Sequence, residues 1–119
     1  FRLGSVRRKS DYSVDNFRIA VQHIIDNYNL NLRLHEISRI AGMSVSSFER
    51  AFRKKMNTTF NLYLNTLRIR HSARLLAEGS FSVSEIAFIC GFTNQFHFTR
   101  TFKKMMNVPP TAYKNNRDR

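Results

Sequence analysis

One sequence pattern occurs twice in this chain of 119 residues. Each copy opens with glutamate and isoleucine in a short amphipathic segment, reaches a glycine, and continues into a segment with two phenylalanines and several basic residues. The copies span residues 36–57 and 85–107, and their glycines, Gly42 and Gly91, are 49 residues apart. After the glycines the offset becomes 50, so the second copy carries one additional residue there. We therefore expect two related units, each a helix, a tight turn and a second helix.

The chain is strongly basic. It holds 20 lysine and arginine residues against 8 acidic ones, which gives a net charge of +12 and an isoelectric point near 10.9. A hydrophobic share of 42% is high enough for a globular protein rather than a disordered basic tail. This charge predicts an anionic partner, with nucleic acid favoured over an acidic membrane surface.

The sequence lacks the residues that several other classes of protein need. Cys90 is the only cysteine, which excludes an internal disulfide and a cysteine-based zinc finger, and we expect it to be buried as a small apolar residue. The four histidines stand far apart, so neither a metal site nor a cofactor is expected. There are no paired carboxylates and no phosphate-binding glycine loop, so we expect no enzyme. No apolar run reaches the ~20 residues of a membrane span.

The sequence predicts an all-α fold of about seven helices, because apolar residues recur at helical intervals and no segment alternates with period two. Ser13, a favourable N-cap, is expected to start the first helix. The basic arm before it is either a solvated linker or a phosphate contact. The expected segments are the arm or linker (1–12), a first helix-turn-helix subdomain (13–57), a long linker helix (58–79), a second helix-turn-helix subdomain (80–116) and a tail (117–119).

Local signals predict where the helices of the first copy begin and end. Gly42 supplies the positive φ of the tight turn, and Ser44 caps the helix that follows. Asn57 can adopt the left-handed conformation that ends this helix. The linker helix is expected to run from about Phe60 to Glu78, long enough to hold the two subdomains a fixed distance apart.

The second copy carries similar signals. Ser82 and Glu85 have the spacing of a capping box, which predicts the start of a helix between them. Thr93 is expected to cap the next helix, which runs over about residues 94–106. Pro110 is expected to begin a short final helix.

The second helix of each copy has an apolar and a basic side when its residues are projected at 100° each. Arg50 and Arg100 lie opposite the phenylalanines, where their planar forks can bond guanine O6 and N7. Glu49 can accept from cytosine N4, and Gln95 can pair with adenine. Phe96 also points outward, and it either touches a thymine methyl group or folds back on the neighbouring helix. The basic residues further along are assigned mainly to phosphates: Arg53, Lys54, Lys103 and Lys104.

These residues resemble the DNA-binding domain of the AraC/XylS-type bacterial transcription regulators. The runs from Glu85 to Phe92, from Phe98 to Lys104 and from Pro110 to Lys114 follow that family's signature closely. The resemblance covers about residues 14–116, including the linker helix and the first motif. It implies a homeodomain-like double helix-turn-helix domain whose two recognition helices enter successive major-groove segments of DNA.

Carried over by position, the resemblance implies a set of base-contacting residues: Ser46, Ser47, Glu49, Arg50, Gln95, Phe96, His97, Thr99 and Arg100. The helix caps Ser44 and Thr93 join the residues assigned to phosphates. Some residues depart from the family pattern. Serines at 38 and 72 replace alanine and can bond a backbone carbonyl one turn back, and asparagines at 57 and 107 replace glycine. Phe96 and His97 also depart from the pattern, so the family's base preference cannot simply be copied there.

The expected function is sequence-specific binding of double-stranded DNA at an asymmetric site of about two helical turns. The resemblance implies regulation, usually activation, of bacterial transcription, with RNA polymerase as a partner and a cytoplasmic, nucleoid-associated location. Because the sequence opens with Phe1 rather than Met, we expect that an amino-terminal portion is missing, and the resemblance implies that it is an effector-binding or dimerisation domain. The alternatives are a non-specific RNA-binding or nucleoid-coating protein and, less favoured, a membrane-binding amphipathic helix over residues 14–28.

Overall fold

The computed structural model describes the backbone of residues 9–117 and the side chains of residues 16–114. Over these residues the chain is all-α, with seven helices and no strand, as the sequence predicts. The helices are α1 (Lys9–Asp26), α2 (Leu34–Ile40), α3 (Val45–Met56), α4 (Phe60–Glu78), α5 (Val83–Ile89), α6 (Gln95–Met106) and α7 (Pro110–Arg117).

The first helix starts earlier than expected. Helix α1 begins at Lys9, so Ser13 lies inside it rather than at its N-cap. No glycine or proline lies between Gly4 and Ser13, and the preference of serine for the N-cap is worth only about 1 kcal/mol. That preference cannot stop a helix whose preceding residues can extend it. The remainder of the expected arm, residues 1–8, lies outside the described residues.

The chain divides into two compact units, which we describe separately. The first unit combines the described residues up to Asn27 with Leu32–Phe60, and therefore contains α1, α2 and α3. The second unit combines Tyr28–Asn31 with the described residues from Asn61 onward. Helix α4, apart from Phe60, thus clusters with the second unit.

Four phenylalanines form the centre of the first unit. The ring of Phe17 lies 5.6 Å from that of Phe48 and 6.0 Å from that of Phe52, measured between centroids. Phe52 in turn meets Phe60 edge to face at 6.4 Å. The aliphatic residues buried in the same unit come from α1, α2 and the turn after α2: Ala20, Ile24, Ile37 and Ala41. This core holds α3 by its phenylalanine side.

The core of the second unit draws on α4, α5 and α6. Phe98 is fully buried between Phe92, at 5.2 Å, and Phe102, at 5.7 Å. Tyr113 of α7 packs against Phe102 with centroids 5.5 Å apart, so the final helix closes this core. The remaining buried members come from α4, α5 and the residue that follows α5: Ile69, Ala73, Leu76, Ile86, Ala87 and Cys90. Cys90 is buried as the sequence predicts.

Within the second unit, side chains of α4 hold the segment Tyr28–Asn31. The Tyr28 ring stacks on the His71 imidazole with a centroid distance of 4.1 Å and an interplanar angle of 6°. An Arg74 guanidinium nitrogen lies 3.1 Å from His71 Nδ1. Burial, followed by the positive charge of Arg74, lowers the pKa of His71, which keeps this ring neutral near neutral pH.

Candidate nucleic-acid interface

The two helix pairs α2–α3 and α5–α6 have the same turn. In the first pair, Gly42 has φ of 69° and donates its N–H to Arg39, while Met43 donates to Ser38. The second pair repeats this: Gly91, with φ of 97°, donates to Phe88, and Phe92 donates to Ala87. These paired bonds define a Schellman motif, which needs a left-handed residue after the helix. Glycine at both positions therefore serves the turn, as the sequence predicts.

The second helices of the two pairs, α3 and α6, have side-chain caps at the same distance from their first buried phenylalanine. The Ser44 hydroxyl accepts from the backbone N–H of Ser47 at 3.2 Å, and Asn94 Oδ1 accepts from that of His97 at 2.8 Å. The prediction that Thr93 caps α6 is therefore wrong. The additional residue of the second copy falls between the Schellman turn and the cap, so the capping position moves from residue 93 to residue 94.

The first helix of the second pair has the predicted capping box. The Ser82 hydroxyl accepts from the backbone N–H of Glu85 at 3.1 Å, and the backbone N–H of Ser82 donates to the Glu85 carboxylate at 2.8 Å. The bond from the Ser82 backbone, followed by that with its side chain, lowers the pKa of Glu85. The carboxylate therefore stays ionised at neutral pH and fixes the start of α5.

The departures from the family pattern fit the fold. Asn57 and Asn107 end α3 and α6 in the left-handed conformation, with φ of 58° and 67°. The buried Ser38 hydroxyl donates to the carbonyl of His35 at 3.0 Å, and the buried Ser72 hydroxyl donates to that of Ile69 at 2.7 Å. Both predictions, the left-handed asparagines and the serines bonded one turn back, are confirmed.

Helices α3 and α6 are each anchored by two phenylalanines with no exposed surface. They are Phe48 and Phe52 in α3 and Phe98 and Phe102 in α6. The two residues of a pair are four positions apart and so lie on one helix face. Lys55 lies beside these phenylalanines at the inner side of α3. Its side chain is exposed, and its Nζ lies 5.7 Å from the centroid of the Phe17 ring. A buried pair of this kind leaves the opposite face of each helix open to solvent.

The opposite face of α3 presents polar and basic side chains. Ser46, Glu49 and Arg50 are exposed, and an Arg50 guanidinium nitrogen makes a long contact, 3.5 Å, with the Ser47 hydroxyl. A surface hollow lies beside them, lined by Glu49, Arg50, Arg53, Thr59 and Phe60. Helix α3 also carries three basic residues and no acid in its last turn, where cations complement the helix dipole.

The opposite face of α6 is basic and partly apolar. Gln95, Phe96 and Arg100 are exposed and line one surface hollow together with Thr99. A second hollow lies further along the helix, lined by Arg100, Thr101, Lys103, Lys104 and Asn107. Phe96 is 81% exposed, so of the two orientations that the sequence leaves open, folding back on the neighbouring helix is excluded.

The ring of His97, a predicted base-contacting residue, packs against the core. Its ring meets the buried Phe92 ring edge to face, with centroids 5.4 Å apart, although the residue remains exposed. The guanidinium carbon of Arg68 lies 5.7 Å from the same Phe92 ring. Arg68 lies on α4, far from Phe92 in the sequence. No local signal indicates its contact with Phe92.

The structure places all the predicted site residues on the solvent side of the two units. Ser47 and Thr99 are partly buried. The others are exposed: Ser44, Ser46, Glu49, Arg50, Arg53, Lys54, Thr93, Gln95, Phe96, His97, Arg100, Lys103 and Lys104. Within each unit they lie on one capped helix, except Ser44 and Thr93, which lie just before it. The arginine and glutamine side chains of this set can form hydrogen bonds to base edges, and its lysine side chains can contact phosphates.

The described part of the chain shows neither a cluster of metal-binding side chains nor a membrane-spanning helix. Among residues 16–114, no three histidine, cysteine or acidic side chains lie close enough together to hold a metal ion. Over the same part of the chain, no helix combines the length and the apolar character that crossing a bilayer needs.

Comparison with known proteins gives matches over most of the chain. A family model described as a helix-turn-helix domain matches residues 37–116. RhaS of Escherichia coli, an HTH-type transcriptional activator, is 25% identical over 117 residues. That alignment covers 98% of this chain and 42% of RhaS, so the chain spans less than half the length of this relative.

The fold is similar to solved DNA-binding domains. The DNA-binding domain of AdpA, a global transcriptional factor solved in complex with a target DNA, matches with a TM-score of 0.81 and 25% identity, covering 85% of this chain and 91% of that one. An AraC-type transcriptional regulator from Chromobacterium violaceum matches with a TM-score of 0.78 and 28% identity, covering 88% and 94%. Proteins so named are regulators, which agrees with the expectation that the chain is not an enzyme.

The family match runs from α2 to α7 and includes both helix pairs, the helix between them and the closing helix. Its extent, the AraC-type neighbour and the two Schellman turns with capped basic helices all agree with the resemblance found in the sequence. The chain belongs to the AraC/XylS family of transcription regulators and carries their helix-turn-helix DNA-binding domain.

Proposed function

We propose that this chain binds double-stranded DNA in a sequence-specific manner, with α3 and α6 each entering a major groove. One observation carries the proposal. Two helices in one chain have the same cap position, the same pair of buried phenylalanines and an exposed arginine two residues after the first phenylalanine, Arg50 or Arg100. A helix held by one face and carrying an arginine on the other is suited to the major groove.

The two helices are unequal where they face solvent. Counted from their first buried phenylalanine, Ser46 corresponds to Phe96 and Glu49 to Thr99, while Arg50 corresponds to Arg100. Base-edge contacts depend on the chemistry of each side chain, so the two helices should prefer different base steps. We infer an asymmetric site of about two helical turns, read by a single chain in successive major-groove segments.

The basic residues at the ends of the helices have a different role in the proposal. Arg53, Lys54, Lys103 and Lys104 are exposed in the last turns of α3 and α6. Contacts to phosphates position a protein on the duplex without reading sequence, and they make binding sensitive to salt. The hydroxyls of Ser44 and Thr93 at the start of the helices are assigned to the same role.

The test begins with selection of preferred sites from random duplex DNA, followed by measurement of affinity for the selected site. Arg50→Ala and Arg100→Ala should each cost about 1–3 kcal/mol and relax preference at one position. Lys103→Ala should weaken binding to all sequences and reduce the salt dependence by about one counterion. Arg70→Ala, which removes an exposed arginine of α4, is the matched control and should change site preference little. Full affinity and selectivity in both arginine variants would refute the assignment of base contacts.

A non-specific nucleic-acid-binding protein is the alternative, because a net charge of +12 binds any phosphate backbone. Competition between the selected site and random duplex, at a stated salt concentration, separates the two. A specific reader should prefer its site by about 10³ or more. Equal competition by random duplex, or by RNA, supports the alternative instead.

We infer the effect of DNA binding on transcription from the family. RhaS is named a transcriptional activator, which supports activation over repression for this chain. RNA polymerase as a partner, an effector or dimerisation domain outside the sequence, and a cytoplasmic, nucleoid-associated location remain predictions from the resemblance. Transcription in vitro by RNA polymerase from a promoter that carries the selected site, with and without the protein, tests the partnership with RNA polymerase.

A further inference from the structure

Phe96 is an unusual residue at the start of a helix that carries basic side chains. Its side chain is 81% exposed, more than that of any other large hydrophobic residue in the described part of the chain; Phe88 follows at 60%. A phenyl ring in water adds nothing to the stability of the folded state, whereas covering it by a partner is favourable. It lies in the first turn of α6, next to Gln95, which begins the helix.

The surroundings of Phe96 form a small apolar surface within a basic one. The hollow beside it is lined by Gln95, Thr99 and Arg100. Residues three and four positions apart share a helix face, so Thr99 and Arg100 lie on the same face of α6 as Phe96. The guanidinium and the Gln95 amide border this surface with hydrogen-bond donors.

The charge around this surface indicates what covers it. Helix α6 carries Arg100, Lys103 and Lys104 and no acidic residue. An apolar partner without strong negative charge gains little binding energy from these basic side chains, whereas a polyanion gains binding energy at each of them. In the major groove of a DNA duplex, the C5 methyl group of thymine is the apolar group that bases present. Phe96 therefore fits one specific feature of a nucleic-acid partner.

We propose that Phe96 selects a pyrimidine by its C5 methyl group, in the half of the binding site that α6 reads. This proposal rests on the function proposed above and adds the chemical group recognised. The corresponding residue of α3 is Ser46, which is exposed but has no apolar surface of this size. The methyl preference should therefore be confined to one half-site.

The experiment replaces single thymines of the selected site by uracil, one position at a time. Uracil keeps the same hydrogen bonds and lacks the methyl group. Loss of one buried methyl group should weaken binding about fourfold at one position of the second half-site. At that position a 5-methylcytosine·guanine pair should bind about fourfold more tightly than a cytosine·guanine pair.

Two variants assign the effect to Phe96. Phe96→Ser, which introduces the residue found at the same place in α3, should bind the thymine and uracil sites equally. Phe88→Ser makes the same change at an exposed phenylalanine of α5 and should keep the full difference. The proposal is overturned if the unmodified protein tolerates uracil at every thymine of that half-site, or if Phe96→Ser retains the difference. If the ring instead inserts between base steps, which does not require the methyl group, the unmodified protein tolerates uracil at every thymine of that half-site.

Failure of the proposed function gives a different result. A protein that selects no site from random duplex fails before uracil is tested. A protein that selects a site and responds to Arg100→Ala, but does not respond to uracil, retains the proposed function and loses only the role of Phe96.

Discussion

Arg68 is bonded to the backbone of Tyr28, forty residues before it in the sequence. Its Nε donates to the Tyr28 carbonyl at 2.8 Å, and an Nη atom donates to the Leu30 carbonyl at 2.9 Å. The guanidinium also lies over the buried Phe92 ring. Burial lowers the pKa of Arg68, but an arginine remains charged at neutral pH. One side chain thus satisfies two carbonyls of the non-helical segment Tyr28–Asn31.

Replacing Arg68 should destabilise the protein measurably. Arg68→Ala removes two hydrogen bonds from a charged donor, one to the partly buried Tyr28 carbonyl and one to the exposed Leu30 carbonyl, for an expected loss of about 1.5–3 kcal/mol. Arg68→Lys should recover only part of this, because an ammonium group lacks the planar fork. The measurement is the free energy of unfolding from urea titration. Arg70→Ala, at an exposed position, should change that free energy by no more than about 0.5 kcal/mol.

Gly91 should tolerate substitution far less than Gly79. A Cβ at Gly91 would lie 2.9 Å from Arg68 Nε and 3.0 Å from the Asn29 Cα, at a φ of 97°. Strain and overpacking together predict a loss of roughly 2–5 kcal/mol for Gly91→Ala. A Cβ at Gly79 meets nothing within 4 Å, so its φ of 77° alone should cost Gly79→Ala about 1–2 kcal/mol. Equal losses in urea unfolding would contradict the close approach of the Asn29 backbone.

The sequence predicts those parts of the fold that depend on neighbouring residues. Gly42, Gly79 and Asn57 each end a helix through their own backbone conformation, so their types alone indicate the turns. The contact between Arg68 and Tyr28 joins distant parts of the chain, and no local pattern indicates it. Phe96 illustrates the same limit at the candidate site: its outward direction follows from the helical period, but its exposure depends on what the rest of the unit leaves uncovered.

Two variants test whether Asn94, rather than Thr93, caps α6. Asn94→Ala removes the 2.8 Å bond to the His97 N–H and should cost about 1 kcal/mol of stability. Thr93→Ala, one residue earlier and exposed, should cost less than about 0.5 kcal/mol. Thermal or urea unfolding of both variants gives the comparison. A larger loss for Thr93→Ala would restore the cap that the sequence alone predicts.

The sequence predicts the wrong cap because Thr93 and Asn94 are both good capping residues, and only one of them is aligned with the helix. Which of the two residues is aligned depends on where the chain accommodates the additional residue of the second copy. The Schellman turn fixes Phe92, and the buried Phe98 fixes the rotation of α6. Asn94 is then the residue four before that phenylalanine, as Ser44 is in the first copy. A local preference cannot decide between two adjacent candidates, whereas packing can.

Cys90 should make the stability of the protein fall at alkaline pH. Burial raises the pKa of its thiol from 9.0 to about 11, and the nearby charges of Arg74 and Arg68 only partly offset this. Because the folded-state pKa is the higher one, the unfolded chain releases the proton first. The stabilisation of the neutral thiol is therefore complete below pH 9 and is lost as pH rises toward 11. Cys90→Ala has no thiol to ionise, so its free energy of unfolding should fall less over this range. Urea titrations of both proteins between pH 8 and pH 11 give the difference, and parallel curves would show that the thiol ionises as readily in the folded protein as in the unfolded chain.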